Sequence, residues 1–272
     1  MVKNNIINFI MGGKLGDFIH SLYAVKGICE NKDAKANIYI VDIGWDFGID
    51  NTYLELLPII IKQTYVKNFT ILDKKYYTLD PIQTPQQNTP IQIHAPHLIE
   101  QGWVDLGGYI RSPHLYKTAW TNLFSYTFNF PRCIDPWWIQ YNNINNKFTN
   151  KVVIHRKNND RLNENFPYEQ IINQYNRDVI FVSSNDTDYA AFPYNKNIPY
   201  FKLKTLSDWF DCINSSALFI SNLTGPAAIA HSLDKPRIIE LPNTIDAFHC
   251  MGEELYSNNI YWFLNHETNN LL

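Results

Sequence analysis

Cysteine is scarce and scattered in this sequence. The four residues, Cys29, Cys133, Cys212 and Cys250, form no CxxC pair, which argues against a structural zinc site or a disulfide framework and for a reducing compartment. Long apolar runs are missing too: no stretch approaches the ~18 residues that a membrane span needs. The short apolar segment before Gly12 lacks the length and the small-residue cleavage site of a secretory signal. There is no excess of basic charge, since 23 Lys and Arg stand against 26 Asp and Glu for a net charge of -3. A global positive field able to hold nucleic acid is thereby excluded. The eight histidines form no HExxH or comparable cluster, and no repeat of solenoid period is present. These absences lead to the expectation of a cytoplasmic chain with no transmembrane segment, no nucleic-acid partner and no bound metal.

What the chain does have is 272 residues, 45% of them hydrophobic and 15% aromatic, enough for one large α/β domain or two small ones. Asn is abundant, which points to polar loops rather than to a function. Short apolar runs alternate with segments of helical periodicity. Ile6–Met11 reads as a first strand, and Phe18, Ile19, Leu22, Val25 and Ile28 recur as one face of a helix. A strand is predicted at 37–43, a helix at 54–61 and a short strand at 69–72. The Pro- and Gln-rich stretch 78–96 is predicted to be an irregular loop, and 114–128 a helix after Ser112-Pro113. Residues 131–150, with Trp137-Trp138 and an Asn-rich run, read as a connector. After it the alternation is regular: strands at 152–155, 179–183, 200–203, 217–221 and 237–241, with helices at 167–175, 186–192, 206–215 and 225–233. Such alternation implies parallel sheets with right-handed crossovers, hence two Rossmann-like lobes. Ligands of such sheets bind beyond the carboxyl ends of the strands, so the strand-to-helix turns are the places to look for chemistry.

The first turn is Gly12-Gly13-Lys14-Leu15-Gly16-Asp17. Its glycines allow a sharp turn and close backbone approach to a ligand, and a helix start favours an anion. Local sequence alone favours a capping role for Asp17. The segment departs from G-x-G-x-x-G, and Asp42 lies further on than the interval of about twenty residues at which a dinucleotide fold places its ribose acid, so NAD binding is disfavoured. His20 lies one turn after Asp17 and shares its face. The second turn, Ser221-Asn222-Leu223-Thr224-Gly225-Pro226, runs from a buried strand into an Ala-rich helix. Thr224 suits the N-cap and Pro226 the first turn, and the amides there would seat a diphosphate as readily as they would form an ordinary joint. A third region, from His155 and Arg156 to Arg161, brings three cations to the end of a strand, where Arg suits bidentate phosphate contact. The fourth is Ser183-Ser184-Asn185-Asp186-Thr187-Asp188. Its Asp-x-Asp spacing alone does not define a metal site. Capping, or a bond to a ribose hydroxyl, fits a turn after the second strand of its half. Trp103, Trp120, Trp137 and Trp138 are candidates for core packing or for acceptor contact.

Together these turns resemble the heptosyltransferase-like glycosyltransferases, glycosyltransferase family 9, of GT-B fold. Gly13-Lys14-Leu15-Gly16-Asp17-Phe18-Ile19-His20-Ser21-Leu22 is similar to that family's opening Gly-x-x-Gly-Asp-x-Ile-x-Ser-Leu. Ser221–Pro226, the helix 227–233 and Lys235-Pro236 resemble its second signature, and His155–Arg161 with Phe166-Pro167 its nucleotide-side loop. The likeness touches both ends of the chain and leaves about 45–150 unmatched.

The resemblance implies an inverting, metal-independent transferase without cofactor, taking a nucleotide-diphosphate sugar as donor and a glycan or other hydroxyl as acceptor. It implies an acceptor-side lobe over 1–135, reduced in size, a nucleotide-sugar lobe over 151–250, and a segment 251–272 packing back on the first lobe. Asp17 would be the general base. Thr224, Gly225, Arg156, Arg161 and Gly16 would hold the diphosphate, and Ser183, Asp186, Asp188 and Asn222 the nucleotide. Lys14 and His20 would lie on the acceptor side. The sequence departs from the family at Ala227-Ala228, where many members carry His, and at Glu164-Asn165, where some carry Lys. Those departures keep open a non-catalytic nucleotide- or glycan-binding protein derived from such an enzyme.

Overall fold

The computed structural model describes residues 5–45, 48–81, 91–115, 117–133, 135–159, 162–175, 178–241 and 259–262. The chain forms two compact units, one of Met1–Leu115 with Trp120–Gln140 and the other of Tyr116–Ala119 with Tyr141–Leu272.

The first unit runs β1 (Asn5–Met11), α1 (Leu15–Asn31), β2 (Ala34–Ile40), α2 (Ile49–Ile60), β3 (Val66–Ile71), β4 (Thr78–Pro81), β5 (Ile91–His94), α3 (Pro96–Glu100), β6 (Val104–Asp105), a 3-10 turn at Leu106–Arg111 and α4 (Trp120–Phe128). Its sheet has the order β3-β2-β1-β6 with every pair parallel. Strand β1 enters the core along its length, exposed at Asn5 and fully buried at Phe9, Ile10 and Met11. The apolar stripe predicted for α1 is buried, but so are Ser21, Lys26 and Gly27 on its other sides. The opposite face is covered by α4 and by the chain after it: a Cβ at Gly27 would meet the Phe130 ring at 2.2 Å, so only glycine admits that ring.

The predicted connector is therefore not a free linker. Lys26 Nζ donates to Asp135 Oδ2 and to the Trp137 carbonyl, both at 2.9 Å, and lies over the Trp137 ring. Trp138 is buried and donates from Nε1 to the Ile19 carbonyl at 2.7 Å. Gln63 and Gln140 exchange side-chain and backbone bonds of 2.8 and 3.1 Å. A buried amine requires such partners, and here it clamps residues 135–140 to the first unit. Two other predictions need correction. Residues 78–81 and 91–94, placed within an irregular loop, pair as antiparallel strands, whereas 82–90 lie outside the described residues. The helix predicted from 114 starts at Trp120, because a Ser112 hydroxyl turn, accepting from the His114 amide, holds the backbone after it non-helical.

The second unit runs β7 (Val152–His155), α5 (Tyr168–Tyr175), β8 (Val179–Ser183), α6 (Asp186–Ala191), β9 (Tyr200–Lys202), α7 (Leu206–Ser215), β10 (Leu218–Asn222), α8 (Gly225–Ser232), β11 (Arg237–Glu240) and β12 (Asn259–Trp262). The sheet order β12-β11-β10-β7-β8-β9 is parallel throughout. Counted from β7, this is the 3-2-1-4-5-6 order of a dinucleotide-type fold, with the order reversing between β7 and β10. A core of Val152, Ile154, Phe166, Ile171, Val179, Phe181, Phe192, Ile220 and Ile238 fills one side of the sheet. Residues 141–150 are anchored here: the Asn145 amide donates to Ser215 Oγ at 2.7 Å and Phe148 is buried. Of the segment 251–272, expected against the first lobe, the described residues 259–262 extend the second sheet beside β11.

Candidate functional site

In each sheet the strand order reverses beside one strand, β1 in the first unit and β7 in the second. The turns at the carboxyl ends of those strands and of their neighbours carry most of the predicted site residues.

In the first unit β1 ends at Met11, and Gly12-Gly13-Lys14 leads directly into α1. Gly13 has φ +142°, and a Cβ there would lie 2.6 Å from the Asp17 Cβ. This glycine lets the loop fold onto the first helical turn. Lys14 is the N-cap residue, exposed, and its amide donates to Asp17 Oδ2 at 3.2 Å. Asp17 is thus not the N-cap residue but the N3 member of a capping box, so the capping role expected of it is present. It sits within the first turn, where the helix N-terminus favours negative charge. Its second oxygen, Oδ1, accepts from the Tyr109 hydroxyl at 2.9 Å. Tyr109 is buried and comes from the 3-10 turn that follows β6, the strand beside β1. Gly16 lies half-buried in the first turn of α1. His20, on the next turn, stacks on Trp120 with ring centroids 4.8 Å apart and a 9° interplanar angle. Trp120 meets Tyr109 edge-on at 5.6 Å. Lys14, Asp17 and His20 therefore sit together on a single helix start, with aromatic rings from α4 and the 3-10 turn behind them. Asp42 is elsewhere, its carboxylate held below the usual range by the Lys74 ammonium 2.9 Å away.

In the second unit the polar residues of the turns bind one another. Asn222, at the end of β10 and fully buried, accepts from the Lys157 amide and donates to the Lys157 carbonyl, both at 3.0 Å, and to Asn159 Oδ1 at 3.2 Å. Asp188, buried in α6, accepts from the Asn158 amide at 3.1 Å and from Ser183 Oγ at 2.8 Å. The loop 157–159 after β7 is thus held from both flanks by side chains predicted to touch nucleotide. Asp186 alone of that group is exposed. Lys202 Nζ at 2.6 Å and the Tyr200 hydroxyl at 2.9 Å hold its carboxyl below the usual range.

Arg156 was predicted to face a diphosphate, and the structure commits its guanidinium elsewhere. Nε and Nη2 bond the Glu240 carboxylate at 3.0–3.2 Å, and the Arg156 side chain is only 10% exposed. The cause is Glu240 itself, fully buried at the end of β11. A buried carboxylate needs a counter-charge and full hydrogen bonding, and the Asn163 amide and Tyr168 hydroxyl supply the remaining bonds, each at 2.6 Å. Sequence reading missed Glu240; its only signal is an acid closing an apolar strand, Ile238-Ile239-Glu240. Arg161 lies outside the described residues. His155 is buried, and desolvation pushes its pKa down to about 4. Its Nδ1 donates to the Val182 carbonyl at 3.0 Å, so it is a neutral packing residue and no part of an anion seat.

Thr224 occupies the N-cap of α8 by its backbone, but its hydroxyl turns back to the Asn222 carbonyl at 3.2 Å and to Ser221 Oγ at 3.1 Å. The first-turn amides of α8, including that of Gly225, thereby have no side-chain cap, and Pro226 contributes no N–H. Uncapped amides at a helix start, next to the reversal of strand order, are suited to an anion. Among the described residues no group of three or more His, Cys, Asp or Glu gathers as a metal site, and no helix is long and apolar enough to cross a membrane.

No protein-family model matches the chain, and no curated protein matches it by sequence. Solved structures do match by fold. A glycosyl transferase family 9 protein from Veillonella parvula aligns over 96% of this chain and 88% of its own, with a TM-score of 0.57 and 11% identity. The ADP-heptose LPS heptosyltransferase II of E. coli aligns over 97% and 92%, at 0.54 and 11%. The E. coli heptosyltransferase WaaC with ADP aligns over 94% and 92%, at 0.53 and 11%. The chain shares the GT-B fold of family 9, two Rossmann-like units of parallel sheet.

Proposed function

We propose that this protein is a cytoplasmic, inverting, metal-independent glycosyltransferase. In this reading it moves a sugar from a nucleotide-diphosphate donor to a hydroxyl of a glycan or similar acceptor. The observation that carries the reading is Asp17. It is a half-buried carboxylate at the helix start beside the first sheet's reversal point, with the Lys14 amide donating to one oxygen and the Tyr109 hydroxyl to the other. The shared fold supplies the reaction class, since the structural neighbours are named as transferases and one as using ADP-heptose.

The chemistry follows from these groups. The acceptor oxygen attacks the anomeric carbon from the face opposite the diphosphate, so configuration inverts. Asp17 takes the hydroxyl proton as the new C–O bond forms. The bond to the diphosphate oxygen breaks with its electron pair, and the negative charge it leaves is met by preorganised dipoles. The uncapped amides of α8 at Gly225, with Thr224, are assigned that task, and Arg161 is the cation proposed to assist. Because Arg156 neutralises Glu240, its role is to hold the floor of the second unit rather than to grip phosphate. Asp186 is the group proposed to reach the nucleotide, while Ser183, Asp188 and Asn222 fix the loop on which the donor would rest. Lys14 and His20 stay on the acceptor side.

The test uses the purified chain with ADP-, UDP-, GDP- and CDP-sugars, ADP-heptose among them. One nucleotide series should raise the melting temperature with EDTA present. Asp17→Asn should keep that rise and lose nucleoside diphosphate release by at least about 100-fold. Stabilisation abolished by EDTA would overturn the metal-free reading, and native turnover by Asp17→Asn would overturn the base.

A further inference from the structure

No sequence motif singles out Tyr109, yet it makes a long-range hydrogen bond to Asp17. Its hydroxyl lies 2.9 Å from Oδ1, 92 residues away in sequence. The way the chain delivers this hydroxyl is specific. Strand β6 is only two residues long and pairs with β1 at Phe9 and Ile10, just before the glycine turn. Asp105 ends β6 and its Oδ1 accepts from the Gly107 amide at 2.9 Å, which starts the 3-10 turn that carries Tyr109. The ring is then fixed between Trp120, edge-on at 5.6 Å, and Phe124, at 5.3 Å. Trp120 is in turn stacked by His20 from α1. The phenol is therefore buried on a short, capped turn with aromatic rings setting its plane, and its polar end is aimed at a half-buried carboxylate. The ring packing alone would be satisfied by phenylalanine. The hydroxyl is the part that needs another explanation.

From this geometry we infer that Tyr109 is a positioning residue: its hydroxyl fixes the orientation of the Asp17 carboxylate and stabilises its ionised, proton-accepting form. The inference rests on the transferase reading for its consequence, but the coupling between the two side chains can be measured without it. Other charged or titratable groups on the surrounding elements are Lys14 and His20 at the start of α1 and the Asp105–Arg111 pair, 3.5 Å apart, on the turn; α4 carries no charged residue, and its one titratable group is the exposed phenol of Tyr126.

The experiment compares wild type, Tyr109→Phe and the protein with 3-fluorotyrosine at 109, a more acidic phenol and so a stronger donor. Carbon-13 NMR of aspartate-labelled full-length protein, with the Asp17 signal assigned through Asp17→Asn, follows the Asp17 carboxyl as pH is lowered. Loss of a hydrogen bond to the charged form raises a carboxyl pKa. Tyr109→Phe should move the Asp17 midpoint up by about one unit, and 3-fluorotyrosine should move it down. With ADP-heptose as probe, Tyr109→Phe should lower kcat about 10- to 100-fold with KM unchanged. The acid limb of its pH profile should move with the NMR midpoint. A merely structural tyrosine would change the melting temperature and leave the midpoint where it was. An unmoved Asp17 midpoint in both variants overturns the inference while the transferase reading stands. Native turnover by Asp17→Asn overturns Asp17 as the base and, with it, the catalytic role given to Tyr109, while the NMR still reports the coupling.

Discussion

At the scale of single residues, two positions depend on what stands beside them. Gly13 is required by its φ of +142° and by the 2.6 Å that would separate an added Cβ from Asp17. Gly13→Ala should leave the unit folded at a cost of about 1–3 kcal/mol. It should also push Asp17 off its place and lower kcat by about 100-fold, the scale set by a displacement of roughly 1 Å. Steady-state kinetics beside a thermal melt would check both. Glu240 makes the opposite case, a buried acid whose work is structural. Glu240→Gln leaves Arg156 without its counter-charge and should cost about 3–5 kcal/mol, read as a lower urea midpoint at constant slope. The sequence marked Asp17 and Arg156 alike as polar residues at strand ends. It could separate their fates only if the partner were visible, and Tyr109 and Glu240 stand 92 and 84 residues away. Contacts at that range leave no local pattern, which is why both partners went unpredicted.

At the scale of elements, periodicity carried far. Apart from β12, which was not expected as a strand, the strands and helices of the second unit fall within a residue or two of the positions expected from apolar runs and turn residues. The pair β4–β5 and the two-residue β6 were not legible, since their pairing depends on neighbours rather than on propensity. Lys26 was equally hidden, a cation on a helix whose polar side is covered by the chain after α4. His155 yields a prediction at this scale because it ties β7 to β8 through the Val182 carbonyl. Buried neutral, with a folded pKa of about 4 against about 6.5 in the unfolded chain, it binds fewer protons folded than unfolded between those values. Stability should therefore be full above pH 6.5 and decline as pH falls toward 4, by about 3 kcal/mol in all. Denaturant midpoints of wild type and His155→Gln across that window should converge as pH drops. Parallel curves would show that His155 does not titrate differently in the two states.

At the scale of the whole molecule, the reversal of strand order in each sheet turns a list of motifs into two sites. In the first unit it gathers the glycine turn, Asp17 and Tyr109. In the second it gathers the loop 157–159 and the start of α8. The order and spacing of the motifs made the fold class readable before any coordinates, and the structural neighbours at 11% identity share it. Less was legible of what the polar residues of the second unit do, because Ser183, Asp188 and Asn222 are the same residue types whether they grip a ligand or a loop. The decisive assay is release of nucleoside diphosphate from the donor that stabilises the protein, measured for wild type and Asp17→Asn alongside donor affinity. Native donor affinity and a loss of turnover of at least about 100-fold are expected in the variant. Equal turnover in the two proteins would rule out Asp17 as the base, and donor binding by wild type with no transfer to any hydroxyl acceptor would rule out the transferase.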